Sequence, residues 1–348
     1  MKQIKAAIIS IAATSLSDEE KRLLAAHRPL GVSLFARNIE NPEQLKTLTQ
    51  SIRDAVETDD ILIAIDQEGG RVCRLKQPLW RKYMSQAAIG ALPEALSVKA
   101  AELHARLIAD DLHLAGINCN FAPTLDVCTP DITAALKSRC FSYDEKLTAR
   151  LGQVMFDAYN QAGIVPCIKH FAGHSGARND PHLQLSIISK TNRRYFYPFA
   201  QIAPQALMGM TAHIVLQEFD SLPITMSAKV IRSLIREEFG FKGLLVSDAL
   251  EMRALSGSLA EKTQAAIMAG CNAALYCKGD IDGLRTVLDN CGYISEENRE
   301  TLQRIFALTH RPYASENIEN MDAEYANYAA QAPEIVDDYD AVEVLNKL

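Results

Sequence analysis

The sequence has no apolar run that approaches the ~18 residues of a membrane span. It also has no Cys-x-x-Cys pair among its eight cysteines, Cys73, Cys119, Cys128, Cys140, Cys167, Cys271, Cys277 and Cys291. Several of these sit inside apolar runs such as IVPCI, so buried free thiols in a reducing cytoplasm are expected rather than a disulfide framework. Basic charge is not in excess. The 36 Lys+Arg stand against 43 Asp+Glu, a net −7. That argues against a general nucleic-acid or anionic-membrane binder, whose affinity comes from basic patches.

What is present is a chain of 348 residues with 48% hydrophobic and 23% charged residues, the balance of a soluble globular protein. Such a length fits one α/β barrel. The opening MKQIKAAIISIAATS imitates a signal peptide, with lysines, a short apolar run and then small residues. Its apolar run is short and β-branched in the middle, so it reads as a buried first strand.

Short, nearly continuous apolar runs alternate with helical patterns. The runs cover 5–12, 31–35, 61–65, 118–123, 164–168, 207–212, 244–248 and 272–277. Continuous hydrophobicity suits strands buried on both faces. Between them, 17–27 opens on Ser17 as an N-cap with acids in its first turn. The segment 41–56 has Asn41 before Pro42 and apolar residues at Leu45, Leu48 and Ile52. The segment 97–116 is long, amphipathic and closed by Gly116. Eight strands alternating with helices predict a single-domain (β/α)8 TIM-type barrel over 1–310. Residues 311–348 form an acidic C-terminal extension, read as partly helical and outside the barrel, a solvated face or packing arm.

Barrel active sites form at the C-terminal ends of the strands. Polar residues arrive there abruptly: DQEGGRVCR (66–74) after the third run, KHFAGHSGARNDPH (169–182) after the fifth, His213 after the sixth and Asp248 at the end of the seventh. The 169–182 stretch holds His170, His174 and His182, three of the eight histidines. A metal site is one reading, but Phe171 and Gly173 disfavour the helix that the spacing of His170 and His174 would need. No metal and no cofactor is therefore expected. The acid/base reading takes Asp180 and His182, two residues apart on one side of an extended loop. An aspartate beside a histidine fixes its tautomer and stabilises the imidazolium. Asp248 is a candidate nucleophilic carboxylate, or else an N-cap for a helix starting at Ala249.

These residues resemble glycoside hydrolase family 3, and within it the single-domain bacterial β-N-acetylglucosaminidases of peptidoglycan recycling. LFARNIENPEQL, AIDQEGGRVCRL, NFAPTLDV, SRCFS, KHFAGHSGARNDPH, GMTAHIV and GFKGLLVSDALEM follow the family's order across residues 5–310. The resemblance implies Asp248 as the nucleophile, His182 as the acid/base and Asp180 as its dyad partner. It implies Asp66, Arg74, Arg139, Lys169 and His170 as the residues that grip N-acetylglucosamine. The implied substrate is a muropeptide or other amino sugar, met by a cytoplasmic monomer with no nucleic-acid or membrane partner. Ala172, Ser175, Pro181 and Ala249 depart from the family pattern without removing a reacting group. The alternatives are a β-N-acetylglucosaminide phosphorylase, a non-catalytic muropeptide-binding protein and a metal-dependent hydrolase.

Overall fold

The computed structural model describes residues 3–174, 176–177, 179–180, 183–315 and 317–335. Among the described residues, ten strands follow in chain order: β1 (Lys5–Ser10), β2 (Pro29–Leu34), β3 (Leu62–Ile65), β4 (Cys119–Asn120), β5 (Val165–Phe171), β6 (Ser186–Ile188), β7 (Met208–Thr211), β8 (Ile214–Leu216), β9 (Leu244–Ala249) and β10 (Ala273–Leu275). Eight of them close a parallel barrel in the order β1-β10-β9-β7-β5-β4-β3-β2. Each of the eight apolar runs supplies one stave. The first run pairs with both β2 and β10. The remaining two strands, β6 and β8, form a small parallel pair outside the barrel.

The apolar runs are continuous because both faces are buried. Leu62 and Ala64, Val165 and Cys167, Met208 and Met210, and Leu244 and Val246 face inward, and the helix Arg299–Thr309 adds Leu302, Ile305 and Phe306 to the same cluster. The alternate residues Ile63, Ile65, Ile168 and Leu245 pack outward with the helices. Side chains alternate along a strand, so the inward register continues from 62 and 64 to Asp66, from 165 and 167 to Lys169, and from 244 and 246 to Asp248. Two apolar layers thus fill the barrel, and a polar layer lies above them at its C-terminal end.

The helices begin where their sequences provide caps. Ser17 and Glu20 make a reciprocal capping box on Asp18–His27. The Asn41 side chain accepts from Gln44 N–H at the start of Pro42–Val56, with the proline in the first turn. The helix predicted over 97–116 runs Glu94–Leu114, starting three residues earlier because Pro93 is itself the N-cap. No helix starts at Ala249: Asp248 and Ala249 lie inside β9, and the next helix, Leu259–Ala269, is capped by Ser258, so the N-cap reading of Asp248 does not hold. β5 is longer than its apolar run and takes in Lys169 and His170, because Phe171 pairs with Thr211 and Lys169 bridges to Thr124. In the acidic extension, Ile318–Gln331 is a helix that buries Met321 and Tyr325. No helix among the described residues is long and apolar enough to cross a membrane.

Candidate active site

Lys169 is the pivot of the mouth. It is 1% exposed, and its Nζ lies 2.8 Å from Asp66 Oδ1 and 2.6 Å from Glu68 Oε1. Burial alone would lower its pKa, but the two carboxylates more than offset this and raise it. Burial pushes Asp66 and Glu68 up, yet Lys169 and Arg139 hold both well below the usual carboxylate range, with Arg74 adding to the effect on Asp66. Arg139 meets Glu68 in a bidentate pair, Nε to Oε2 and Nη2 to Oε1, each at 2.8 Å. Arg74 Nη2 reaches Asp66 Oδ2 at 3.2 Å, and its guanidinium lies 5.3 Å from the Phe35 ring centre.

Backbone staples hold these groups still. Gln67 Oε1 accepts from the N–H groups of Arg74 and Leu75, while its amide donates to Leu75 O, which fixes the turn that carries Arg74. Asn120 at the end of β4 accepts from Gln67 N–H and donates to Gln67 O. Gln86 donates to the carbonyls of Thr124 and Arg139, tying the 124–143 segment to the barrel.

His170 stands next to Lys169. Its Nδ1 lies 2.8 Å from Asp126 Oδ2 and its Nε2 lies 3.4 Å from Arg139 Nη2. A cation facing Nε2 and a carboxylate facing Nδ1 select the neutral ring with its proton on Nδ1. Burial lowers this histidine to about 4, against the pull of Asp126. Asp126 also accepts from the backbone N–H groups of His170 and His174. Burial raises it, but the two histidines and their hydrogen bonds bring it well below the carboxylate range. Asp126, His170 and His174 together place ligand-type atoms within 4.8 Å of one another.

On the far side, Asp248 N–H donates to Thr211 Oγ1 at 3.3 Å, and Asp248 Oδ1 accepts from Ala249 N–H at 2.8 Å. His213 braces this strand end. Its Nε2 lies 3.0 Å from Ala249 O and its Nδ1 lies 2.7 Å from Thr225 Oγ1. Glu251 reaches the segment just after β10, where its Oε1 accepts from Cys277 N–H at 3.1 Å, and burial raises its pKa.

The structure therefore brings Asp66, Arg74, Arg139, Lys169 and His170 into one connected group. Asp248 shares the barrel's inward face with Asp66 and Lys169. Asp180 is 9% exposed on the loop after β5, and its carbonyl accepts from Leu183 and Gln184 N–H. His182, along with Ser175 and Pro181, lies outside the described residues. Sequence reasoning assigned no role to Glu68, Asp126, His213 or Glu251. Glu68 had a signal, since DQEGG places two carboxylates two residues apart; the others pair with groups far along the chain.

The family model described as glycosyl hydrolase family 3 N terminal domain matches residues 1–308. A β-hexosaminidase from Alkalilimnicola ehrlichii is 34% identical over 283 residues, covering 78% of this chain and 80% of its own. A β-hexosaminidase from Neisseria gonorrhoeae is 32% identical over 296 residues, covering 80% and 81%. The solved structure of native NagZ from Neisseria gonorrhoeae superposes with a TM-score of 0.83 at 27% identity, over 95% of this chain and 99% of that one. The same figures hold for NagZ from Neisseria gonorrhoeae in complex with N-trifluoroacetyl-D-glucosamine.

Proposed function

The chain belongs to glycosyl hydrolase family 3, and from that premise we propose that it is a retaining exo-β-N-acetylglucosaminidase. Its substrates are peptidoglycan fragments, N-acetylglucosaminyl-1,6-anhydro-N-acetylmuramic acid with or without peptide, met in the cytoplasm. The observation that carries this reading is the polar layer above the apolar barrel, with Asp248 across from the Lys169–Asp66–Glu68–Arg139 cluster. That cluster suits a sugar with several hydroxyls. Lys169 uses two of its three ammonium protons on Asp66 and Glu68, which leaves one for a hydroxyl. Asp66 is partly open and offers lone pairs, and the Nε2 of neutral His170 is an acceptor. The acetamido specificity rests on the likeness to proteins of that activity.

Double displacement needs one group as nucleophile and a second as acid and then base. An Asp248 carboxylate oxygen attacks the anomeric carbon, and the C–O bond to the leaving sugar breaks. His182, oriented by Asp180, gives its proton to the departing oxygen. The glycosyl–Asp248 ester remains. A water then yields its proton to the now neutral His182, and its oxygen displaces Asp248 to release free N-acetylglucosamine. A histidine suits the second role because its ordinary pKa of ~6.5 is close to working pH. Release of chromophore from an aryl β-N-acetylglucosaminide, abolished in Asp248→Ala, is the expected result. Full activity in Asp248→Ala contradicts the mechanism. Sugar 1-phosphate as the product in phosphate buffer identifies a phosphorylase instead, and binding without turnover at any pH identifies a non-catalytic protein.

A further inference from the structure

The terminal helix Ile318–Gln331 lies beyond residue 308, where the family model ends, yet it reaches the site through two side chains. Tyr325 is 5% exposed. Its Oη accepts from Met84 N–H at 2.9 Å and lies 2.7 Å from Nδ1 of His104. His104 is fully buried on Glu94–Leu114, and its Nε2 lies 2.9 Å from the carbonyl oxygen of Glu68. The Glu68 carboxylate in turn holds Arg139 and Lys169. A second anchor runs beside the first: Arg81 joins Asp322 of the terminal helix at 2.8 Å to Asp110 at 3.1 Å and to Asp111.

The proton inventory gives this chain one direction. Glu68 O can only accept, so His104 must carry its proton on Nε2. Its Nδ1 is then an acceptor, and the Tyr325 hydroxyl must donate to it. Replacing that hydroxyl leaves a buried ring nitrogen unpaired and frees the ring to turn away from Glu68. The space is closed to alternatives. A Cβ on Gly69 would lie 2.6 Å from His104 Cε1 and 2.2 Å from Met84 O, so this ring position requires glycine there.

We propose that Tyr325 and His104 are positioning residues for substrate binding: they fix the Glu68 backbone, and through the Glu68 carboxylate they preset Lys169 and Arg139 to receive the sugar. The inference rests on the glycosidase reading only for what Lys169 and Arg139 hold.

The test is steady-state kinetics on an aryl β-N-acetylglucosaminide with Tyr325→Phe, His104→Leu, His104→Gln and the control Tyr328→Phe, whose hydroxyl donates to exposed Glu324. Tyr325→Phe is expected to raise KM about tenfold, the effect of one buried hydrogen bond, with kcat within about twofold of wild type. His104→Leu raises KM at least as much. His104→Gln retains an N–H for Glu68 O and restores KM to within about threefold of wild type. In a Glu68→Gln background, Tyr325→Phe loses most of its effect, because both changes act through one group. A lowered thermal midpoint with KM unchanged, or full additivity with Glu68→Gln, overturns the proposal. If the wild type cleaves no β-N-acetylglucosaminide, it is the functional reading that fails. Amide hydrogen exchange then decides the positioning claim: faster exchange of residues 67–72 in Tyr325→Phe supports it, and unchanged exchange overturns it.

Discussion

The site depends on which groups each charge touches. Lys169 is enclosed between Asp66 and Glu68, so replacing it breaks two ion pairs at once and leaves the carboxylates to Arg74 and Arg139 alone. Lys169→Met is expected to cost on the order of 3–5 kcal/mol of stability, read as a fall in the denaturant midpoint, besides losing activity. Asp126 is used differently: its carboxylate collects three N–H donors, two from backbone and one from the His170 ring. An asparagine presents its own N–H to one of them. Asp126→Asn is expected to lower kcat/KM by roughly 10–100-fold, the loss of one to two charge-assisted hydrogen bonds. A kcat/KM within twofold of wild type contradicts the role given to Asp126. These roles show the limit of sequence reading. Asp66, Lys169 and Asp248 were legible because they end apolar runs. Asp126 was not, because its partners His170 and His174 lie more than 40 residues away, across a barrel seam.

At the scale of elements, the staves were legible for one physical reason: burial on both faces makes each strand a continuous apolar run. The inward alternation at 62, 64 and 66 or 244, 246 and 248 also lies in those residues, and it carries the apolar core into the polar layer. The β6–β8 pair was not legible. Its strands have three residues each, too short to stand out: β8 is fully buried but runs on from the sixth apolar run, and β6 exposes Ile187 at 64%. The Gly-Gly turn after Glu68 gives an element-scale test. Gly69 has φ +101 and no room for a methyl group, whereas Gly240 has φ +64 and only Pro204 Cγ at 3.8 Å. Gly69→Ala is expected to lose upwards of about 2 kcal/mol, and Gly240→Ala about 1 kcal/mol, by chemical denaturation. Equal costs would contradict the close packing of Met84 and His104 on Gly69.

For the whole molecule, the buried histidines His104 and His170 and the carboxylates Asp66, Glu68 and Asp126 resist protonation. Burial holds His104 and His170 at about 4, against 6.5 for an exposed histidine. The unfolded chain therefore binds more protons between those values, and stability falls as pH drops from about 6.5 toward 4. Asp66, Glu68 and Asp126 titrate lower when folded than when unfolded. Their contribution is present above the ordinary carboxylate range and is lost as pH falls further. Thermal midpoints measured from pH 7 to pH 3 are expected to decline throughout, steepening below about 4.5. A flat profile from 7 to 4 contradicts the neutral state assigned to the two histidines. The sequence read residues 311–348 as a solvated face or packing arm, not as a contributor to the barrel's site. That contribution runs through Tyr325, an uncharged residue in an acidic segment.

The central claim is that Asp248 becomes covalently bound to the sugar. Incubation with a 5-fluoro β-N-acetylglucosaminide, which forms the glycosyl-enzyme faster than it is hydrolysed, followed by peptide mass spectrometry, reads that bond directly. The expected result is one fluorosugar mass added to the peptide containing Asp248, and none in Asp248→Asn. Turnover of ordinary substrate with an adduct on any other residue would contradict it.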